Sequence, residues 1–135
     1  MEAQKLELES TIENIKEVEK LVDQVCSDYK IKEDYYGNIL IAVTEAVNNA
    51  IIHGNKQNPE KTFSVIFNPG EDQLVFSVED QGDGFDFNNL PDPTDPENLE
   101  KPNGRGVFLM KNLADKIEFE NNGRKVNISF KIFNN

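Results

Sequence analysis

Glu45, Asn49 and His53 stand at successive four-residue steps in EAVNNAIIHGN, residues 45–55. From Ile39 to Ile52 the only polar side chains are Thr44, Glu45, Asn48 and Asn49, so a helix here is expected to be apolar nearly all round and largely buried. A carboxylate in such a helix is expensive unless a group outside the helix answers it. Glu45 and Asn49, one turn apart, are neighbours on one side. A carboxylate beside a carboxamide oxygen suits a hard cation such as magnesium, and leaves the carboxylate free to orient or deprotonate a hydroxyl or water. The same pair could equally be surface residues bonded to nearby backbone, and His53 a packing or capping histidine.

Two glycine segments bear on the same question. In VEDQGDGFD, residues 78–86, Gly82 and Gly84 bracket Asp83 at the end of an alternating stretch, which lets the backbone turn sharply and approach a flat ligand. Asp80, where the alternation gives out, could accept a hydrogen bond from an exocyclic amine; an ordinary Asp- and Gly-rich turn reads the same way. In NGRGVFLM, residues 103–110, Gly104 and Gly106 flank Arg105 before a helical pattern that opens with Val107. Helix N-termini expose unpaired N–H groups, glycines admit phosphate closely, and Arg105 adds a bidentate cation. Alone, a glycine-rich helix start is weak evidence of phosphate binding.

The elements that must position these residues read as follows. KLELE, from Lys5, alternates as a first strand, and Ser10, Thr11 and Glu13 offer a capping box for a helix running to about Tyr29. A second helix begins near Asp34 and is expected to stop at Gly54 in the left-handed terminal position. TFSVIFN and QLVFSVED alternate around the turn signal NPGED, a hairpin with one apolar face. Residues 81–103 carry Gly82, Gly84, Pro91, Pro93, Pro96 and Pro102 with little periodicity, a long loop of the kind that serves as a lid. VFLMKNLADK reads as a short helix beginning at Gly106, followed by strands IEFEN and KVNISFKIF around NNG. This order favours one α/β domain over residues 1–135, a two-layer sandwich of a mixed, mostly antiparallel sheet with helices on one face.

Composition narrows the function classes. Fourteen basic against 25 acidic residues give a net charge of −11, which works against direct nucleic-acid or anionic-membrane binding. The single Cys26 excludes an intrachain disulfide and reads as a helix-packing residue, and one histidine leaves no zinc-spaced cluster. No apolar run has signal or membrane-spanning length, so the expected location is cytoplasmic.

Taken together, helical ExxxN, a strand ending in DxGxG about 30 residues on, and a GxG opening a helix about 20 residues further resemble the nucleotide-binding motifs of the GHKL ATPase superfamily, with its Bergerat fold. EAVNNAIIHGN and GRGVFLMKNLAD are most similar to bacterial anti-sigma factor serine kinases of the sporulation and general-stress type. The resemblance implies that Asn49 coordinates magnesium on ATP or ADP phosphates and that Glu45 is the catalytic base. It implies that Asp80 bonds the adenine amino group, that Gly82 and Gly84 shape the pocket, and that the segment Gly104, Arg105, Gly106 and Val107 wraps the phosphates. His53 falls inside the same nucleotide site, and the loop at 81–103 becomes an ATP lid.

By the same comparison the protein phosphorylates a serine on a STAS-type anti-anti-sigma partner and, with nucleotide bound, holds a sigma factor inactive as a homodimer. One departure stands out. Where the superfamily often carries a Gly-Thr pair whose hydroxyl helps hold phosphate, this chain reads NGRKVNIS, with Arg124 and Lys125. Two other functions fit the motifs: a nucleotide-dependent module that sequesters a partner without efficient transfer, and a stand-alone histidine-kinase ATPase domain. The latter would need a phosphoacceptor helix pair, which no upstream segment of the sequence supplies.

Overall fold

A computed structural model describes residues 3–84 and 102–132, with only the backbone of 102–105. Five strands carry the fold: β1 (Gln4–Glu9), β2 (Thr62–Pro69), β3 (Gln73–Glu79), β4 (Lys116–Glu120) and β5 (Lys125–Lys131). They form one sheet in the order β1-β2-β3-β5-β4, and every neighbouring pair is antiparallel. The expected mixed sheet is thus wholly antiparallel among the described strands. Two helices, α1 (Ile15–Asp28) and α2 (Glu33–Asn48), run out and back between β1 and β2. The chain therefore re-enters the sheet at the end where it left, with Glu9 opposite Thr62.

Alternation decides which face is buried. Phe63, Val65 and Phe67 of β2, Leu74, Phe76 and Val78 of β3, and Val126, Ile128 and Phe130 of β5 all turn inward. Val18, Leu21, Val22 and Val25 of α1 and Ile39, Val43, Ala46 and Val47 of α2 complete the core. Tyr29, Phe67, Phe76 and Phe130 meet in series, with ring centroids 5.9, 5.2 and 6.4 Å apart. Each buried phenylalanine contributes about 1.5–3 kcal/mol by leaving water. The outward face holds polar partners such as Ser77, whose hydroxyl donates to Asn127 Oδ1 at 2.6 Å.

Several ends differ from the sequence expectation. The capping box does not form: Thr11 makes no side-chain cap bond, and a single 3₁₀ turn, Ile12–Asn14, leads into α1. Ser10 is fully buried and serves elsewhere, its Oγ accepting from Asn55 Nδ2 at 2.6 Å. The α1 terminus is closed by Lys30 at φ 54° and by Ile31 N–H donating to Cys26 O at 2.9 Å.

Helix α2 is not apolar all round in effect, because Ile41 is 46% exposed while Glu45 and Asn49 are only half-buried. It continues through a π turn, Asn49–Gly54, closed by Asn55 N–H on Ala50 O at 2.8 Å. Gly54 is not left-handed; Lys56 and Gln57 are, at φ 53° and 57°. Helix α3 spans Pro102–Leu113, beginning four residues before the expected Gly106 because proline suits the first helical position. It stops before Ala114, where Asp115 N–H turns to the sheet and bonds Ser129 O at 2.9 Å. Asn121, Asn122 and Gly123, at φ 54°, 59° and 88°, make the β4–β5 turn that NNG foretold. The lid expected at 81–103 lies, from 85 to 101, outside the described residues.

Candidate functional site

The π turn, the end of β3, α3 and the β4–β5 hairpin enclose a pocket of about 470 Å³, its mouth included. Its polar groups converge from three directions: Asn49 and His53 from the π turn, Asp80 from just beyond β3, and Arg124 from just before β5. Between them lies an apolar lining of Ala46, Ala50, Val78, Met110, Phe119 and Val126.

Asp80 is fixed at both its backbone and its carboxylate. Its N–H donates to Arg124 O at 2.9 Å, and its Oδ1 accepts from Gly82 N–H at 2.8 Å. Oδ2 receives no hydrogen bond from the described residues. Burial pushes the Asp80 carboxyl above its ordinary range, against the lowering pull of the Gly82 N–H and the Arg124 charge. Burial likewise lowers His53, which favours its neutral form.

Glycine identity here follows from close approach. A Cβ on Gly54 would stand 2.4 Å from the Asp80 carboxylate, and one on Gly82 would stand 2.0 Å from Gly54 O. The π turn and the β3 end therefore touch backbone to backbone, and the carboxylate lies over the bare Cα of Gly54. A Cβ on Gly106 would stand 2.6 Å from Asn49 Nδ2 and 3.1 Å from Oδ1, so α3 presses against that carboxamide. Gly84 is left-handed at φ 81°.

The expected site residues are gathered only in part. Asn49, His53, Asp80 and Gly84 line the pocket; Gly82 supports Asp80, and Gly106 abuts Asn49. Glu45, one turn before Asn49, is half-buried and is not in the lining. Val107 is 2% exposed and belongs to the core. Gly104 and Arg105 lie within the first turns of α3, and the Arg105 side chain is outside the described residues.

Arg124 lies at the Asp80 end of the pocket, its Nε donating to Asn121 O at 3.0 Å, while Lys125 pairs with Glu120 at 3.7 Å. The sequence reading missed Gly54, Phe119, Met110 and Val126 as lining. The inward alternation of β4 and β5 carried a signal for Phe119 and Val126. Cys26 is remote from the pocket and buried, its thiol pushed up to about 11 by burial and then by Asp23, which suits the packing role expected of it.

Asn49 offers one carboxamide oxygen beside an open pocket, and no cluster of three His, Cys, Asp or Glu side chains forms among the described residues. That suits a cation which keeps its waters and takes most other ligands from phosphate. No helix among the described residues is long and apolar enough to cross a membrane.

A profile of the family described as "Histidine kinase-like ATPase domain" matches residues 8–130. Among curated proteins the chain is similar to Serine-protein kinase RsbW of Bacillus cereus (strain AH187), 36% identical over 84 residues, 58% of this chain and 52% of that protein. The protein of the same name from Bacillus thuringiensis subsp. konkukian (strain 97-27) is also 36% identical, over the same shares. That of Bacillus anthracis (strain CDC 684 / NRRL 3495) is 34% identical over 84 residues. The chain spans about half the length of these curated relatives.

Proposed function

Because the chain belongs to the histidine kinase-like ATPase domain family, we propose that it binds ATP with magnesium and phosphorylates a serine on a STAS-type partner, holding a sigma factor when nucleotide is bound. The observation that carries the reading is the convergence of Asn49 and Asp80 on one glycine-walled pocket. In it, adenine meets the apolar lining that includes Ala50 and Val126 and donates an amino N–H hydrogen bond to Asp80 Oδ2. A half-buried, hydrogen-bonded carboxylate is well suited to read such a donor, since losing the donor leaves it desolvated and unpaired. The phosphates extend along the start of α3, where backbone N–H groups and the Arg105 charge receive them.

Asn49 would hold the cation through its carboxamide oxygen, and magnesium there would supply neutralisation of the phosphate charge. Glu45, one turn along α2, takes the proton of the serine hydroxyl as its oxygen bonds the γ-phosphorus; the bond to the β-phosphate oxygen breaks and ADP leaves. The expected setting is a cytoplasmic homodimer.

Incubation with labelled ATP, magnesium and candidate STAS proteins tests this: label is expected on serine. Glu45→Gln is expected to bind nucleotide normally and to transfer little, and normal transfer would remove Glu45 as base. A second reading, nucleotide-dependent sequestering without efficient transfer, draws on one observation, that Glu45 is absent from the pocket lining. Partner capture unaffected by Glu45→Gln but abolished by Asp80→Asn would favour it.

A further inference from the structure

Asn55 follows the π turn directly and is 1% exposed, an uncommon place for a carboxamide. Its hydrogen-bonding capacity is spent on three separate segments. Nδ2 donates to Ser10 Oγ at 2.6 Å, at the β1–α1 junction, and to Thr62 O at 2.9 Å, at the start of β2. Oδ1 accepts from Gln81 N–H at 2.8 Å, just beyond β3. Gln81 is held a second time, its Oε1 accepting from Thr62 N–H at 2.8 Å. Only a carboxamide offers two donors and an acceptor in so small a volume.

The consequence falls on the residue before Gln81. Asp80 N–H is tied to β5 through Arg124 O, and the next N–H is tied to the π turn through Asn55. The following N–H, that of Gly82, returns to the Asp80 carboxylate. Three consecutive N–H groups thus have assigned acceptors, so the Asp80 Cα–Cβ bond points one way.

We propose that Asn55 and Gln81 form a latch, anchored on Ser10 and Thr62, that sets the aim of Asp80 and so makes both residues positioning residues for selection of the nucleotide base. The proposal rests on the nucleotide reading of the pocket. The latch acts only through Asp80, and its loss appears as lost discrimination between ATP and GTP.

Titrations of ATP and GTP, to millimolar concentration, on wild type, Asn55→Ala, Gln81→Ala, Asp80→Asn and the two doubles test it, with the thermal midpoint recorded for each. Asn55→Ala is expected to weaken ATP about tenfold and Gln81→Ala about threefold, each lowering the ATP-to-GTP ratio by the same factor. In the Asp80→Asn background both substitutions are expected to change ATP affinity less than about twofold, the coupling of residues acting as a unit. Equal losses in both backgrounds, or a lowered midpoint with unchanged ATP-to-GTP ratio, overturn the latch while leaving the nucleotide reading intact. A wild type that binds neither nucleotide overturns the reading and the latch with it. Gln81 is exposed, so Gln81→Ala carries the comparison by itself if Asn55→Ala fails to fold.

Discussion

Gly106→Ala separates stability from function at a single atom. The new methyl would stand 2.6 Å from Asn49 Nδ2, some 0.8 Å inside the 3.4 Å at which ordinary contact begins. What must yield is the end of a short side chain, so the fold absorbs the change and the carboxamide does not. Rotating Asn49 off its preferred rotamer costs about 0.5–1.5 kcal/mol. Alanine for glycine inside α3 returns up to about 1 kcal/mol. Net stability is therefore expected within about 1 kcal/mol of wild type, a shift of a few degrees in midpoint. For the metal-holding role proposed for Asn49, a displacement of nearly 1 Å has a different consequence, because misplacement of that size can cost on the order of 100-fold in rate. The assay pairs a thermal melt with magnesium-dependent transfer of labelled phosphate to a STAS protein. A Gly106→Ala protein that melts normally and transfers at the wild-type rate would refute the placing of Asn49 at the metal.

Further outcomes follow from the same geometry. Gly54→Ala forces the Asp80 carboxylate from a Cβ 2.4 Å away, and a titration is expected to show about 10- to 100-fold weaker ATP binding. Gly82→Ala meets the Gly54 carbonyl at 2.0 Å, backbone that cannot step aside, and is expected to lower stability by about 1–3 kcal/mol in urea denaturation. Phe76→Ala empties the centre of the aromatic series and is expected to lose about 3–5 kcal/mol by the same measurement.

For pH, the raised Asp80 carboxyl binds its proton more tightly folded than unfolded, so its ionisation weakens the fold as pH rises through the folded value. Asp80→Asn is therefore expected to melt higher than wild type near pH 7, the difference closing as pH falls toward 3.8. An unchanged difference across that range would count against burial as the cause.

The sheet was legible because its strands alternate over whole elements: Phe63, Val65 and Phe67 mark an inward face with no help from context. Element ends were less so, since each is decided by a distant partner. Ser10 reads locally as a cap, yet its hydroxyl is taken by Asn55, 45 residues away. Gly54 reads as a helix stop, yet its lack of a side chain serves the Asp80 carboxylate across the pocket. Asn49 and Asp80 stood out in sequence because each sits in a short local motif, and both line the pocket. Arg124 was seen in sequence but could not be located, as its position at the Asp80 end depends on the β3–β5 pairing.

That pairing has a consequence for the order of assembly. β2 with β3, and β4 with β5, are hairpins closed by short turns, whereas β3 meets β5 only after the whole intervening segment has been looped out. Closing a long loop carries an entropy penalty that grows with its length, so the seam between the hairpins, like the β1–β2 pairing, is expected to form late and open early. Asp80 and Arg124 lie at one end of that seam, joined by a single backbone hydrogen bond. A ligand held between them would act as a rivet across that seam, slowing unfolding far more than it hastens folding.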